Sequence, residues 1–256
     1  MVMKFVNQIL ASVCVVSLLL ISGCAGKVQL PQAGQKVALK STSQYIPKKS
    51  FVEGKEQPYE ATENPYLNIR SKVSKGSVLL FIEAKKAKRN GKLALAKQKL
   101  GVITQKDESL SGPWSMLGDI AVEEKQFKLA ASHYKKSIAI TPDNVNAYTA
   151  LATVQRLMGE YDVAQNTLEA ALKLWPDFPE AHLNLGILYD IYLNKPKQAQ
   201  MHMEAYLYLT DYKNKLTETW FEEVKSRTGI TTSFIVDQAL VVKPTSSTVD
   251  KSEVKK

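Results

Sequence analysis

The chain has 256 residues, of which 45% are hydrophobic and 23% charged. Those proportions exclude a wholly disordered polypeptide and fit one globular domain with polar extensions. The formal net charge is +9, an excess that raises nucleic acid or an anionic surface as a partner class and has to be tested against the placement of the basic residues.

At the N-terminus Lys4 supplies one positive charge, and Ile9 to Ile21 is an uninterrupted run of apolar and small residues. Thirteen residues are too few to span a bilayer comfortably and suit the core of a secretory signal. The run leads into Ile21-Ser22-Gly23-Cys24, which resembles the bacterial lipobox, where small residues precede a cysteine that is lipidated before cleavage. The resemblance implies a signal peptide over 1–23, a mature chain beginning at Cys24, and a covalent diacylglycerol and N-acyl (palmitate-type) lipid on Cys24 as the sole prosthetic group. Cleavage after Ala25 and an uncleaved anchor are the alternatives. Cys14 leaves with the signal, so neither a disulfide nor a free catalytic thiol is expected. Residue 25 is Ala rather than Asp, which by resemblance to Gram-negative sorting favours the periplasmic side of the outer membrane.

Residues 24–75 carry Gln, Lys, Ser and Glu, with Pro31, Pro47, Pro58 and Pro65 to interrupt helices. A lipidated flexible tether is expected. Tyr45, Phe51, Tyr59 and Tyr66 are more aromatic than a plain linker requires, and the alternative is a segment that docks on the downstream domain or a neighbour. The densest basic cluster, Lys85, Lys86, Lys88, Arg89 and Lys92, lies on one expected helix without aromatic interleaving or a recognition motif. Removing 1–23 takes away only Lys4. The cluster reads as a solvated face or a contact with anionic lipid head groups or envelope polymer, and nucleic acid is not expected as a partner.

From there to about 228 the same residue types return at a fixed interval. Ala96, Ala130 and Ala164 are 34 residues apart, as are Leu100, Tyr134 and Leu168, Phe127 and Tyr161, and Pro142 and Pro176. Such a period marks stacked helix-turn-helix units. Within each unit two antiparallel helices approach closely only where small residues face each other: Gly118 and Ala130, Ala152 and Ala164, Gly186 and Ala199. Proline after the second helix ends it, lacking an amide donor and clashing with the preceding turn.

With Trp114, Leu117, Gly118, Ala130, Tyr134 and Pro142 in register, the pattern resembles the tetratricopeptide repeat. The resemblance covers about 77–212 and implies an all-α superhelical array of three to four repeats over 76–228. An upstream unit at about 77–110 serves as a degenerate capping repeat. The third clear unit has one extra residue before Ala199, which the turn at 193–196 is expected to absorb. Leu216, Trp220 and Val224 at i, i+4 and i+8 predict a capping helix over about 213–228, stopped by Gly229. The tail 229–256 is expected to be flexible, like the N-terminal segment. Its apolar cluster at 234–242 is open between a short strand, an intramolecular groove ligand and a partner-binding segment.

No residue pattern specifies a reaction. His133, His182 and His202 lack metal-ligand spacing, and no phosphate loop, nucleophile elbow or Cys-x-x-Cys pair is present. An enzyme is the remote alternative and would need a catalytic pair among Asp119, Arg156, Glu180 and Asp190; no small-molecule substrate or metal is expected. In the tetratricopeptide repeat the first helices line a concave groove. Carried onto this chain, the groove positions are Ser115, Asp119 and Val122, then Asn146, Thr149, Thr153 and Arg156, then Glu180, Leu183, Ile187 and Asp190. Such a mixed surface suits an extended or helical segment of another envelope protein, or is a solvated face, or is filled by the chain's own tail. The carboxylate clamp of some relatives is incomplete, since Met116 and Ala150 stand where it needs polar groups before Asn184. Lipoprotein signal, tether and few repeats together resemble the pilotin-type lipoproteins of secretin, pilus and secretion assemblies, and almost equally the adaptor lipoproteins that gather peptidoglycan-remodelling enzymes.

Overall fold

The computed structural model describes residues 37–69 and 72–237. The signal segment 1–23, Cys24 and the apolar residues beyond 237 lie outside them. Among the described residues nine α-helices follow one another: α1 Lys75–Arg89, α2 Leu93–Lys106, α3 Ser111–Glu123, α4 Phe127–Ile140, α5 Val145–Leu157, α6 Tyr161–Leu174, α7 Pro179–Ile187, α8 Pro196–Leu209 and α9 Lys215–Thr228. Within the pairs α1/α2, α3/α4, α5/α6 and α7/α8 the helices pack on each other, and each pair stacks on the next. The expected array is therefore present, with four units and a terminal helix.

Local chemistry sets the boundaries. Ser74, Asn144 and Asn214 cap α1, α5 and α9 by accepting from the amides of Ser77, Ala147 and Thr217, which satisfies donors that the first turn leaves open. Pro179 and Pro196 open α7 and α8, where a missing amide costs nothing. Between the two helices of each unit the chain turns through one residue of positive φ: Gly91, Lys125, Gly159 and Asn194. Each turn closes with a long backbone bond, Lys92 N to Ala87 O, Gln126 N to Ala121 O and Glu160 N to Gln155 O, each about 2.8 to 2.9 Å. This is the Schellman stop, and it repeats at the sequence interval.

The fourth unit shows where its extra residue goes, and the expectation of a looser turn at 193–196 is corrected. After Ile187 the helix widens into a π turn over Leu188–Tyr192, and Leu193 N bonds to Leu188 O at 3.0 Å. The insertion is taken up inside the first helix as a π-bulge. Lys195 N then closes on Tyr189 O rather than on residue 190, one step further back than its three counterparts.

Close approach within a unit depends on the small residues, with a change of partner. A Cβ on Gly118 would fall 2.6 Å from the Tyr134 ring, and one on Gly186 would fall 2.9 Å from Met203 Cγ. The space beside each glycine is thus filled by a large side chain from the second helix, one turn on from Ala130 and Ala199. The main core runs continuously from Ala121 to Val224 through the last three units and α9, and a second core joins α1, α2 and the face of α3 that carries Met116 and Ile120. The capping stripe of α9 is Thr217, Phe221 and Val224, with Trp220 at its margin. Leu216, expected on that stripe, is 83% exposed. The helix begins only at Lys215 and is rotated by about one position from the expected face.

Residues 37–62 and 230–236 depart from the expected plain tether and tail, because both lie against the array. The N-terminal segment contains a short turn at Ser43–Tyr45 and a two-residue hairpin pairing Phe51–Val52 with Lys55–Glu56. Its Ile46 packs with Ile235 and Ala205 in a third small core, and Lys49 N donates to Ile235 O at 2.8 Å.

Candidate functional site

The residues expected on the concave surface sit on α3, α5 and α7, with Asp190 in the π turn that follows α7, and the structure gives them unequal freedom. Asn146 and Glu180 are exposed, and Val122, Leu183 and Ile187 are half-buried. Thr149 and Thr153 turn their hydroxyls back to the carbonyls of Asn146 and Thr149. Asp119 accepts from Tyr134 OH at 2.7 Å, so one carboxylate oxygen is engaged while the residue remains accessible. Burial, together with that carboxylate, pushes the Tyr134 phenol well up and keeps it a donor.

Three of the expected positions are committed to the array itself. Ser115 Oγ lies 2.7 Å from Ser137 Oγ and accepts from Asn144, which ties α3 to the turn before α5. Arg156 donates to Tyr192 OH at 3.0 Å and lies over the Tyr192 ring, bracing α5 against the π turn. Asp190 accepts from Trp220 Nε1 at 2.8 Å and from Arg227 at 2.6 Å. Its carboxylate fastens the capping helix, so the surface ends at α9. Asp119, Arg156 and Asp190 thereby have separate partners, and Glu180 is exposed. Among the described residues no group of three or more His, Cys, Asp or Glu side chains is placed to hold a metal.

The second helices of the last two units carry a different set of contacts, which the sequence pattern did not disclose. Helix α6 is buried on all sides from Val163 to Leu172, including Gln165, Asn166, Thr167 and Glu169. One side faces α5, and the 37–62 strap covers another. Lys40 N donates to Asn166 Oδ1 at 2.9 Å, Asn166 Nδ2 to Ala38 O, and Gln165 Nε2 to Lys40 O. Tyr45 OH donates to Glu169 at 2.9 Å, and Lys40 pairs with the same carboxylate. Further along, Asp177 in the α6–α7 turn accepts from Tyr59 OH, Thr62 N and Thr62 Oγ1, and Trp175 Nε1 donates to Thr62 O at 2.7 Å. On α8, Glu204 accepts from Ser233 Oγ and Phe234 N. Strap and tail meet there, each holding the other down.

At the centre of this contact is a buried chain of polar groups. His182 Nε2 lies 2.8 Å from Pro176 O, His182 Nδ1 lies 2.9 Å from His202 Nδ1, His202 Nε2 lies 2.7 Å from Thr42 Oγ1, and Thr42 Oγ1 lies 3.0 Å from Tyr189 OH. A carbonyl can only accept, so His182 carries its proton on Nε2. Its Nδ1 must then accept from His202 Nδ1–H, which leaves His202 Nε2 to accept from Thr42 and Thr42 to accept from Tyr189. Both rings are neutral. Burial lowers His182 to about 4 and, with His182 beside it, holds His202 well below the ordinary imidazole range. A second proton on His182 would sit on Nδ1, against the Nδ1–H of His202 at 2.9 Å, whereas one on His202 would sit on Nε2 and make Thr42 Oγ1 turn its own proton away.

The aromatic residues noted in the tether were the available signal for this strap, and Tyr45 and Tyr59 are two of its anchors. The row of polar residues on α6 was another, since nothing in a two-helix unit pairs with Gln165, Asn166 and Glu169. The meeting of His182 with His202 had no signal, because they come from facing helices 20 residues apart.

A tetratricopeptide repeat family model matches residues 121–182. The fold is similar to MamA (41-end) of Desulfovibrio magneticus RS-1, at TM-score 0.53 and 17% identity over 62% of this chain and 88% of that one. It is also similar to PilF of Pseudomonas aeruginosa, at TM-score 0.55 and 20% identity over 60% and 69%. A tetratricopeptide repeat protein of Parabacteroides merdae gives TM-score 0.52 and 19% identity over 61% and 62%. No curated protein matches the chain in sequence.

Proposed function

We propose that this tetratricopeptide-repeat chain is a lipoprotein of the outer membrane, anchored through Cys24 and facing the periplasm, that binds a segment of another envelope protein across α3, α5 and α7 and aids assembly of a secretin or pilus complex. The observation that carries this reading is the division of faces. Strap and tail occupy the second helices of the last two units, while among the described residues the side chains of Asn146, Glu180, Leu183 and Ile187 on the first helices make no hydrogen bond or ion pair to either and stay exposed or half-buried. A protein scaffold needs one surface fixed and one left accessible.

The accessible surface combines exposed amide and carboxylate groups with half-buried aliphatic side chains. A peptide segment meets that mixture with backbone hydrogen bonds at one end and apolar side chains at the other. The lipobox-like residues Ile21-Ser22-Gly23-Cys24 support the envelope setting. Ala38 O is held by Asn166 on α6, so the chain from Cys24 reaches the array within fourteen residues, a short reach that would hold the array near the membrane surface.

A crosslinked pull-down from envelope membranes tests the reading, with the intact lipoprotein as bait and Asn146→Ala/Leu183→Ala as the paired bait. Recovery of a secretin or another envelope protein by the first and its loss with the second is the expected outcome. Equal recovery by both baits would remove the binding site from the first helices.

A further inference from the structure

The first end of the array is built differently from the last. At the C-terminal end α9 covers the final unit with Phe221 and Val224. At the other end α1 keeps one face open, and its composition changes along the helix axis. Val78, Ile82, Lys85 and Arg89 follow at i, i+4, i+7 and i+11, with Leu79 and Lys86 alongside, so all six share one face. The first two turns of that face are apolar: Val78, Leu79 and Ile82 are 43%, 62% and 57% exposed. The last two are basic, and Lys85, Lys86 and Arg89 make no ion pair among the described residues, whereas Lys88 on the adjacent flank pairs with Glu123. The opposite face holds Ser77, Ala84 and Ala87 in the core.

Beside the apolar half is a recess of about 310 Å3 walled by Tyr66, Ile69 and Val73 of the segment before α1, by Phe81 and Ile82 of α1, and by Leu110 leading into α3. It lies at the small end of the range for ligand pockets, ~300 to 1,000 Å3, and suits one or two inserted side chains. Its lining is largely apolar, with hydroxyls contributed by Ser77, Ser109, Ser111 and Thr141.

We propose that this face of α1 is a second docking surface, separate from the concave face, and that it takes an acidic amphipathic helix of a protein partner. Three features select that occupant. The open position is the one a helix of a preceding unit would fill in a repeat array, so a helix matches its shape. Unpaired Lys85, Lys86 and Arg89 select carboxylates on the segment lying over the last two turns. The recess selects a large apolar side chain on the segment lying over the first two. A bilayer surface would meet protruding side chains rather than a hole, and a second copy of this chain would bring Lys85, Lys86 and Arg89 onto a like-charged patch unless the helices ran antiparallel. The surface does not depend on what the first helices bind.

The test uses the full chain and two fluorescein-labelled designed helical peptides of about 18 residues, each with Leu and Phe at i, i+3, i+4 and i+7. One carries glutamates and the other lysines at the remaining positions. The glutamate peptide is expected to bind saturably and the lysine peptide at least tenfold more weakly. Ile82→Asp should weaken the glutamate peptide tenfold or more, and Lys85→Glu/Lys86→Glu/Arg89→Glu should reverse the preference between peptides; circular dichroism checks that both variants stay folded. No saturable binding below roughly 1 mM, equal binding of the two peptides, or insensitivity to both variants would overturn the proposal. So would the other occupants: binding to phosphatidylglycerol vesicles lost in Ile82→Asp without peptide binding, or self-association of the chain lost in the same variant.

Discussion

Replacing Thr42 by valine keeps the shape of the side chain and removes the hydroxyl that joins the strap to the array. Thr42 is 4% exposed and stands between His202 Nε2 and Tyr189 OH. Without it His202 Nε2 loses its partner, a loss of about 1 to 3 kcal/mol, while Tyr189 OH keeps Gln165 beside it. A loss of about 2 kcal/mol corresponds to a roughly 30-fold rise in the population of the undocked strap. Amide exchange reads this directly, because Lys40 N is held by Asn166 and Lys49 N by Ile235 O. Both amides should exchange roughly 30-fold faster in Thr42→Val at pH 7, while amides inside α5 keep the wild-type rate.

The same chain of bonds carries a pH dependence whose sign is fixed. His182 falls to about 4 in the folded state against 6.5 for the free imidazole. Between those values the unfolded chain binds more protons than the folded one, so stability rises with pH. The neutral pair is therefore fully tolerated above about 6.5, and stability is lost as pH falls from there to about 4. The loss is about 3 kcal/mol for His182, and His202 adds in the same direction. His202→Gln separates this from carboxylate titration and should flatten the slope between pH 6.5 and 4. Unchanged exchange at Lys40 and Lys49 in Thr42→Val, or a wild-type stability that does not fall over that interval, would refute the assigned tautomers and the latch.

Other expectations follow from single contacts. Gly118→Ala forces a methyl against the Tyr134 ring and should lower the urea midpoint by an amount equivalent to about 1 to 3 kcal/mol, whereas Gly101→Ala, with nothing within 4 Å of the added atom, should not. Lys125→Gly relieves a φ of 58 degrees at the α3–α4 turn and should raise the midpoint by about 0.5 to 1 kcal/mol. Asp190→Asn removes the charge that holds Arg227 and should cost about 1 kcal/mol, seen as faster exchange confined to α9.

The array was legible in the sequence because its physical requirements recur. A left-handed turn residue stands at each of 91, 125, 159 and 194, and a small residue stands wherever two helices cross closely, so spacing alone located the units. The fourth unit shows the limit of that reasoning. An extra residue can be absorbed in a loop or in a helix, and only the packing of Tyr189 and Tyr192 against neighbouring units selects the π turn. The strap was legible as an excess of tyrosine and a row of unmatched polar residues on α6, but their pairing was not, since its anchors pair with residues more than 100 positions away. Concave positions carried over from the repeat pattern mark a face, and they do not separate Asn146, which is exposed, from Asp190, which is spent on the capping helix.

The most direct test of the central claim is photocrosslinking from defined positions in envelope-bearing cells. A photoreactive phenylalanine analogue is placed at Asn146 or Leu183 on the first helices, and at Leu129 on α4, which is 44% exposed. Adducts to one envelope protein from 146 and 183, with none from 129, are the result the account predicts. The same adduct from 129 with none from 146 or 183 would place the partner on the second helices and contradict it.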